Sequence, residues 1–311
     1  MERKNQTVVT QFVFVGLTDN LQQKMVLFIT LLLVYLVTLG GNLGIIILIW
    51  VDPKLHTPMY FFLSHLSFVD LCSSSSIAPK MLNDIFAEIK GISFGGCAAQ
   101  MWFIGLFVGT ECFLLASMAY DRYTAICKPL LYPLIMSPQF CVLLVVGPYA
   151  IAVLNITTHT AFTFCLPFCG PHVINHFFCD ISPLLALACV DTQINTWVLF
   201  VFSGAIGVLS GLVITTSYAY ILVTILRIQT TSGRQKAFST CSSHLAAVSI
   251  LYGTLFFIYV RPSSRSSLNI NKVISVFYTV VIPMLNPPIY SLRNKEMQGA
   301  FRRKFYRKQD G

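Results

Sequence analysis

Seven long stretches almost free of charge run through this chain, and they restrict its fold more than any other feature. They cover about 25–50, 58–78, 97–120, 140–160, 197–226, 237–260 and 273–292, here called spans one to seven. A hydrocarbon core of roughly 30 Å needs about 20 apolar residues of helix, and each stretch supplies them. A membrane barrel would instead show alternating segments of about ten residues. The first stretch is longer than the apolar core of a removable signal peptide. No repeat or linker divides the chain, so the expectation is an all-α membrane protein. One domain over residues 1–311 is built as a seven-transmembrane helix bundle.

Composition closes off other classes. Residues are 55% hydrophobic and 11% charged, whereas a soluble domain carries about a quarter charged residues. That deficit argues against a soluble enzyme or a disordered chain. The net charge of +9 does not mark a nucleic-acid binder, because seven of the 21 Lys and Arg lie beyond Leu292. A basic tail behind apolar spans is attracted to a lipid surface, so membrane lipid is the partner it implies. No HExxH, phosphate-binding glycine loop or GxSxG turn is present, and no enzyme is expected.

Charge bias orients the bundle. Lys54, Arg122, Lys128, Arg227, Arg234, Lys236 and the seven tail cations share one side, 13 against eight on the other. The positive-inside rule puts that side in the cytoplasm and the N-terminus outside. Asn5-Gln6-Thr7, a glycosylation acceptor, then faces the lumen. Cys97, Cys165, Cys169, Cys179 and Cys189 crowd the same oxidising side, where disulfides form.

Short strings along the chain are more specific. Met118-Ala119-Tyr120-Asp121-Arg122-Tyr123-Thr124-Ala125-Ile126-Cys127 ends span three. Leu55-His56-Thr57-Pro58-Met59-Tyr60-Phe61-Phe62-Leu63 opens span two, and Lys236-Ala237-Phe238-Ser239-Thr240-Cys241-Ser242-Ser243-His244-Leu245 opens span six. Ser217-Tyr218, Pro283-Met284-Leu285-Asn286-Pro287 and Ser291-Leu292-Arg293-Asn294 complete the set. In order and depth the strings resemble the olfactory (odorant) receptors, a family of rhodopsin-like G-protein-coupled receptors. The loop string His176-Phe177-Phe178-Cys179-Asp180 is similar to the class II, tetrapod-type branch. One departure is the double proline Pro287-Pro288, where the family usually has one.

The resemblance implies a multi-pass plasma-membrane receptor with a short cytoplasmic amphipathic helix after span seven. Its partners would be a small volatile odorant and a heterotrimeric stimulatory G protein that raises cyclic AMP. It places the G-protein switch at Asp121, Arg122, Tyr123, Tyr218, Asn286, Pro287 and Tyr290. For the Asp121-Arg122 pair alone, a solvated helix end is the plainer reading; the family string favours the switch. The resemblance also puts the ligand between spans three, five and six. Residues on matching turns are Gly105, Val108, Gly109 and Cys112, then Phe202, Ser203 and Ile206, then Tyr252, Leu255, Phe256 and Tyr259. No acid stands in the outer half of span three, so the pocket suits a small, mostly uncharged ligand. Gly105 and Gly109 are expected to leave it volume, and Tyr259 to supply a polar anchor.

Asp70 and Glu111 are the acids deep inside the membrane, each needing a partner or a proton. Their depths match, with Asn42 and Asn286 as expected neighbours. They make either a sodium or proton site, the one cofactor contemplated, or two carboxyls hydrogen-bonded into the core. No resident metal is expected, although His176, Cys179 and Asp180 are ligand types for a soft metal. Cys179 is instead the natural partner of Cys97, with Cys169 bonded to Cys189. Cys97–Cys189 stays open, because sequence does not fix connectivity. Two rivals remain: a seven-helix receptor for a non-odorant ligand, and a transporter, which should show inverted halves that seven spans do not provide.

Overall fold

The computed structural model describes residues 9–18, 20–169, 172–259, 272, 274–291 and 294–305. Asn5 lies outside the described residues, as do both ends of the range expected for span seven. Span one is Leu21–Val51, span two Pro58–Phe86, span three Phe94–Cys127 and span four Pro138–Phe164. Span five is Gln193–Arg227 and span six Thr231–Tyr259. Span seven passes through one π-helical turn, Phe277–Val281, into Ile282–Ser291, and a C-terminal helix follows at Lys295–Phe305.

Local chemistry sets the starts. The Asn20 side chain accepts from Gln22 and Gln23 N–H, and Ser93 and Ser137 cap spans three and four in the same way. Pro58 and Pro138 occupy first-turn positions, where a missing N–H costs nothing. Several helices outrun the expected stretches. Span two continues through Pro79 to Phe86, past the first charges, because Lys80 and Asp84 neutralise each other one turn apart. At 1.5 Å per residue a 34-residue helix is about 50 Å long, so span three projects beyond the hydrocarbon layer.

Span three is the hub. Two thirds (67%) of its most apolar window is buried, against 28%, 22% and 17% in spans one, four and five. Spans one, four and five turn most of their apolar surface outward, as lipid-facing helices do. Small residues let span four come close. A Cβ added at Gly105 would lie 2.2 Å from Ile156 Cδ1, and one at Gly109 would lie 3.3 Å from Ala152 Cβ.

Helix-interior prolines are tolerated because other helices satisfy the carbonyls they release. Pro148 releases the carbonyl of Leu144, which accepts from Ser117 Oγ of span three at 3.0 Å. Pro287 releases that of Pro283, which accepts from Asn42 Nδ2 of span one at 2.9 Å. At the same level a Cβ on Gly41 would meet Pro287 at 3.0 Å, so these two helices touch backbone to ring. No particular contact marks the extra Pro288.

A small sheet caps the outer side. β1 (Gln11–Phe14) lies between β2 (Gly91–Ser93), antiparallel to it, and β3 (Val173–Ile174), parallel to it. Phe12 and Phe14 are buried beneath, and Phe12 meets Phe168 edge-on with ring centroids 5.4 Å apart. Lys90 Nζ donates to Val15 O at 3.0 Å and Lys272 Nζ to Gly16 O at 3.4 Å. Gly16 has φ +80, and a Cβ there would lie 2.8 Å from Lys90 Nζ, so the turn into span one requires glycine.

Candidate functional site

At the cytoplasmic end of span three, Arg122 is 5% exposed and lies close to the hydroxyl of Tyr218 from span five. Tyr218 Oη lies 2.8 Å from His244 Nδ1 on span six, and His244 Nε2 lies 3.0 Å from Leu115 O on span three. A carbonyl only accepts, so Nε2 carries the imidazole proton and Nδ1 accepts from Tyr218. The hydrogen bonds run in one direction, Tyr218 to His244 to Leu115, with Arg122 beside the Tyr218 end. They tie spans five and six to span three. Asp121 is not committed to its neighbour alone, because Tyr132 Oη, in the loop helix Tyr132–Ile135, donates to Asp121 Oδ1 at 2.8 Å. Tyr123 packs against Tyr220, with Lys128 over its ring. Tyr290 is buried close to Arg122 and Tyr218, and its hydroxyl has no hydrogen-bond partner among the described residues.

Two of the strings meet at the C-terminal helix. Tyr60 Oη donates to Glu296 Oε2 at 2.8 Å and accepts from Asn294 Nδ2 at 2.9 Å. Asn294 Oδ1 in turn caps the helix through Glu296 and Met297 N–H. Farther along, Arg303 Nη2 reaches Asp52 Oδ2 at 2.7 Å. That guanidinium holds the Asp52 carboxyl below its ordinary range.

Near the centre of the bundle the structure brings Asp70, Glu111 and Asn286 together. Asn286 Nδ2 donates to Asp70 Oδ2 at 2.9 Å, with the Glu111 carboxyl close by. Among the described residues, Asp70 Oδ1 and, on span one, Asn42 Oδ1 are buried without a hydrogen-bond partner.

On the outer side Cys97 is bonded to Cys179 and Cys169 to Cys189, each with Cα atoms 5.5 Å apart. Gln100 holds the first bridge in place: its Oε1 accepts from Cys179 N at 3.0 Å while its Nε2 donates to Ser76 O at 3.1 Å. The soft-metal arrangement is therefore overturned. The Cys179 sulfur is consumed, and His176 Nε2 turns to Ser275 Oγ at 3.3 Å. Burial against Phe177 and Phe178, with Lys272 nearby, pushes the His176 imidazole down to about 3. It is neutral at physiological pH. Asp180 accepts from Ile181 N, and burial raises its carboxyl.

The expected pocket residues divide. Ile206, Cys112, Tyr252 and Leu255 join one core, with Tyr252 Oη donating to Ser210 Oγ at 2.6 Å. Val108 packs with the cluster of Ile104, Phe177 and Phe178. Gly105 and Gly109 correct the expectation. They face span four, where Ile156 and Ala152 fill the space the glycines were expected to leave for a ligand. Phe202 and Phe256 also depart from it: both are exposed on the outer surface of their helices, 51% and 60%, where lipid tails lie. Ser203 is taken up by His159, and the side chain of Tyr259 lies outside the described residues.

Comparison with known proteins agrees with this arrangement. The family profile for olfactory receptors matches residues 31–308. Olfactory receptor 5G29 of Mus musculus is 77% identical over 308 residues, covering 99% of this chain and 98% of its own. Olfactory receptor 5G3 of Homo sapiens is 73% identical with the same coverage. The chain belongs to the olfactory receptor family.

The receptor is thus a seven-transmembrane, multi-pass protein of the plasma membrane that detects odorants through a G protein, and not an enzyme. Within it, sequence reasoning missed His244, Tyr132 and His159. Two of the three were visible. His244 closes the string that opens span six, and a histidine within an apolar span signals a partner or a function. Tyr132, in a loop, carried no such signal.

Proposed function

We propose that an uncharged volatile odorant, bound in the outer half of the membrane between spans three, five and six, stabilises a conformation in which Arg122 leaves Tyr218. The freed guanidinium then engages a stimulatory G protein and raises cyclic AMP. The observation that carries this reading is the one-way chain from Tyr218 through His244 to Leu115 O, with the buried Arg122 beside the Tyr218 hydroxyl. It spans the three helices that must separate. A ligand shifts such an equilibrium only by its differential affinity for the two states. Val108, Cys112, Ser203, Ile206, Tyr252 and Leu255, with Tyr259, are the candidate wall.

The test is a cyclic AMP reporter assay in transfected cells over a panel of volatile alcohols, aldehydes, hydrocarbons and amines. The expected agonist is uncharged and small. A charged amine as the most potent agonist overturns the pocket reading.

Asp70, Glu111 and Asn42 also fit a sodium ion that favours the resting state. The donors are all oxygens, and two of them, Asp70 Oδ1 and Asn42 Oδ1, are buried without a partner among the described residues. Oxygen is the donor that hard cations take. Purified receptor should then melt at a higher temperature in sodium chloride than in choline chloride, and Asp70→Asn should abolish the difference. Equal melting of the wild type in both salts overturns the sodium assignment.

A further inference from the structure

The outer half of span four, from Asn155 to Thr163, is rich in polar side chains for a helix amid apolar surroundings. Polar groups at this depth need partners. Trp102 Nε1 of span three donates to Thr157 Oγ1 at 3.0 Å. His159 Nε2 lies 3.1 Å from Ser203 Oγ of span five. The two members of that second pair differ in access: His159 is 3% exposed, whereas Ser203 is half-buried. Phe202 closes the imidazole from one side, edge-on at 6.5 Å between centroids. One and four residues on from Ser203, a Cβ added at Gly204 or Gly207 would meet no atom within 4 Å.

We propose that His159 and Ser203 form the polar anchor of the odorant site, selecting small molecules with a single oxygen function. The proposal rests on the ligand lying between spans three, five and six. Ser203 is the binding residue, and His159, acting through it, is a positioning residue. A hydroxyl has one proton to give and two lone pairs, and a neutral imidazole has one donor nitrogen and one acceptor. With Nε2–H donating to Ser203 Oγ, the serine O–H is left for a ligand carbonyl. With Nε2 accepting that proton, Ser203 Oγ accepts from a ligand hydroxyl. The pair therefore serves aldehydes and alcohols alike and offers a hydrocarbon nothing. Discrimination of this kind exceeds what an apolar wall achieves per methylene.

The experiment is cyclic AMP dose–response in transfected cells for C4–C10 n-alkanols, n-alkanals and n-alkanes. The variants are Ser203→Ala, Ser203→Thr, His159→Leu, His159→Gln and Tyr259→Phe, with surface expression and the forskolin response measured in parallel. Ser203→Ala and His159→Leu should raise the half-maximal concentration of alkanols and alkanals about tenfold or more, the effect of one lost hydrogen bond in a buried site. The alkanes should stay as weak as on the wild type. Ser203→Thr and His159→Gln, which keep a hydroxyl and an N–H donor, should restore most of the potency. An equal shift for all three classes overturns the anchor. So does a class-selective loss in Tyr259→Phe that Ser203→Ala does not share, or His159→Gln failing as badly as His159→Leu. Activity toward other volatiles but no alkanol or alkanal also overturns it. Silence to every volatile with an intact forskolin response counts instead against the odorant-site reading on which the anchor rests.

Discussion

Replacing Cys97 or Cys179 with Ser is expected to remove the receptor from the cell surface, by tenfold or more as seen by flow cytometry on intact cells. The bridge closes a loop of 82 residues that contains spans three and four. In the chain-entropy model, opening a loop of that size costs about 4–5 kcal/mol. Total stability is only about 5–15 kcal/mol, so the loss is a large fraction of it. Both sulfurs are buried, and the Cys179 backbone N–H is held by Gln100. The loss therefore also loosens the anchor of the second extracellular loop on span two. Because the two cysteines act as one bond, the double variant should be no worse than either single. Wild-type surface levels in a single variant, or a free Cys179 thiol in mass mapping of unreduced receptor, would contradict the assignment.

Arg122→Ala should abolish ligand-stimulated cyclic AMP while leaving surface expression largely intact. Without the guanidinium, Tyr218 keeps its bond to His244, so the link between spans five and six survives. The signalling state loses the cation that a G protein would meet; Lys128, the next cation along the chain, is engaged over Tyr123. The measurement pairs the reporter response with surface labelling and a forskolin control. Normal signalling from a normally expressed variant sinks the role given to Arg122.

Much of the frame was legible in residues. Apolar runs and caps give the helices, and the depths of Asp70 and Glu111, counted along their helices, lead to the level where Asn286 joins them. Side-chain facing was harder to read, for a reason specific to membranes. The lipid side and the packed side of a span are both apolar, so the pattern that orients a helix in water is weak here. Phe202 and Phe256 look like pocket walls for that reason, yet lie outward. Gly105 and Gly109 share a face by their spacing, but spacing does not say which neighbour that face meets. Small residues in a span signal close helix approach as readily as an empty pocket, and here span four takes the space. His244 and His159 stand out only as histidines in apolar spans; their partners lie far away in sequence, so what they bind could not be read from it.

The outer cap has a consequence for how the chain is made. β1 is the central strand of its sheet and also the first to emerge, while Val173, which pairs with Val13, follows about 160 residues later. At roughly 5–20 residues per second that is a wait of about 8–30 s. For the first half of it Phe12 and Phe14, buried in the finished receptor, have no strand beside them; for the second half β1 has only β2, and Cys97 has no Cys179. The cap closes only after four spans have been threaded into the bilayer and the next loop has reached the lumen. A nascent chain that stalls before that point shows two phenylalanines and a free thiol to lumenal chaperones, and hides them only once insertion has passed the fourth span.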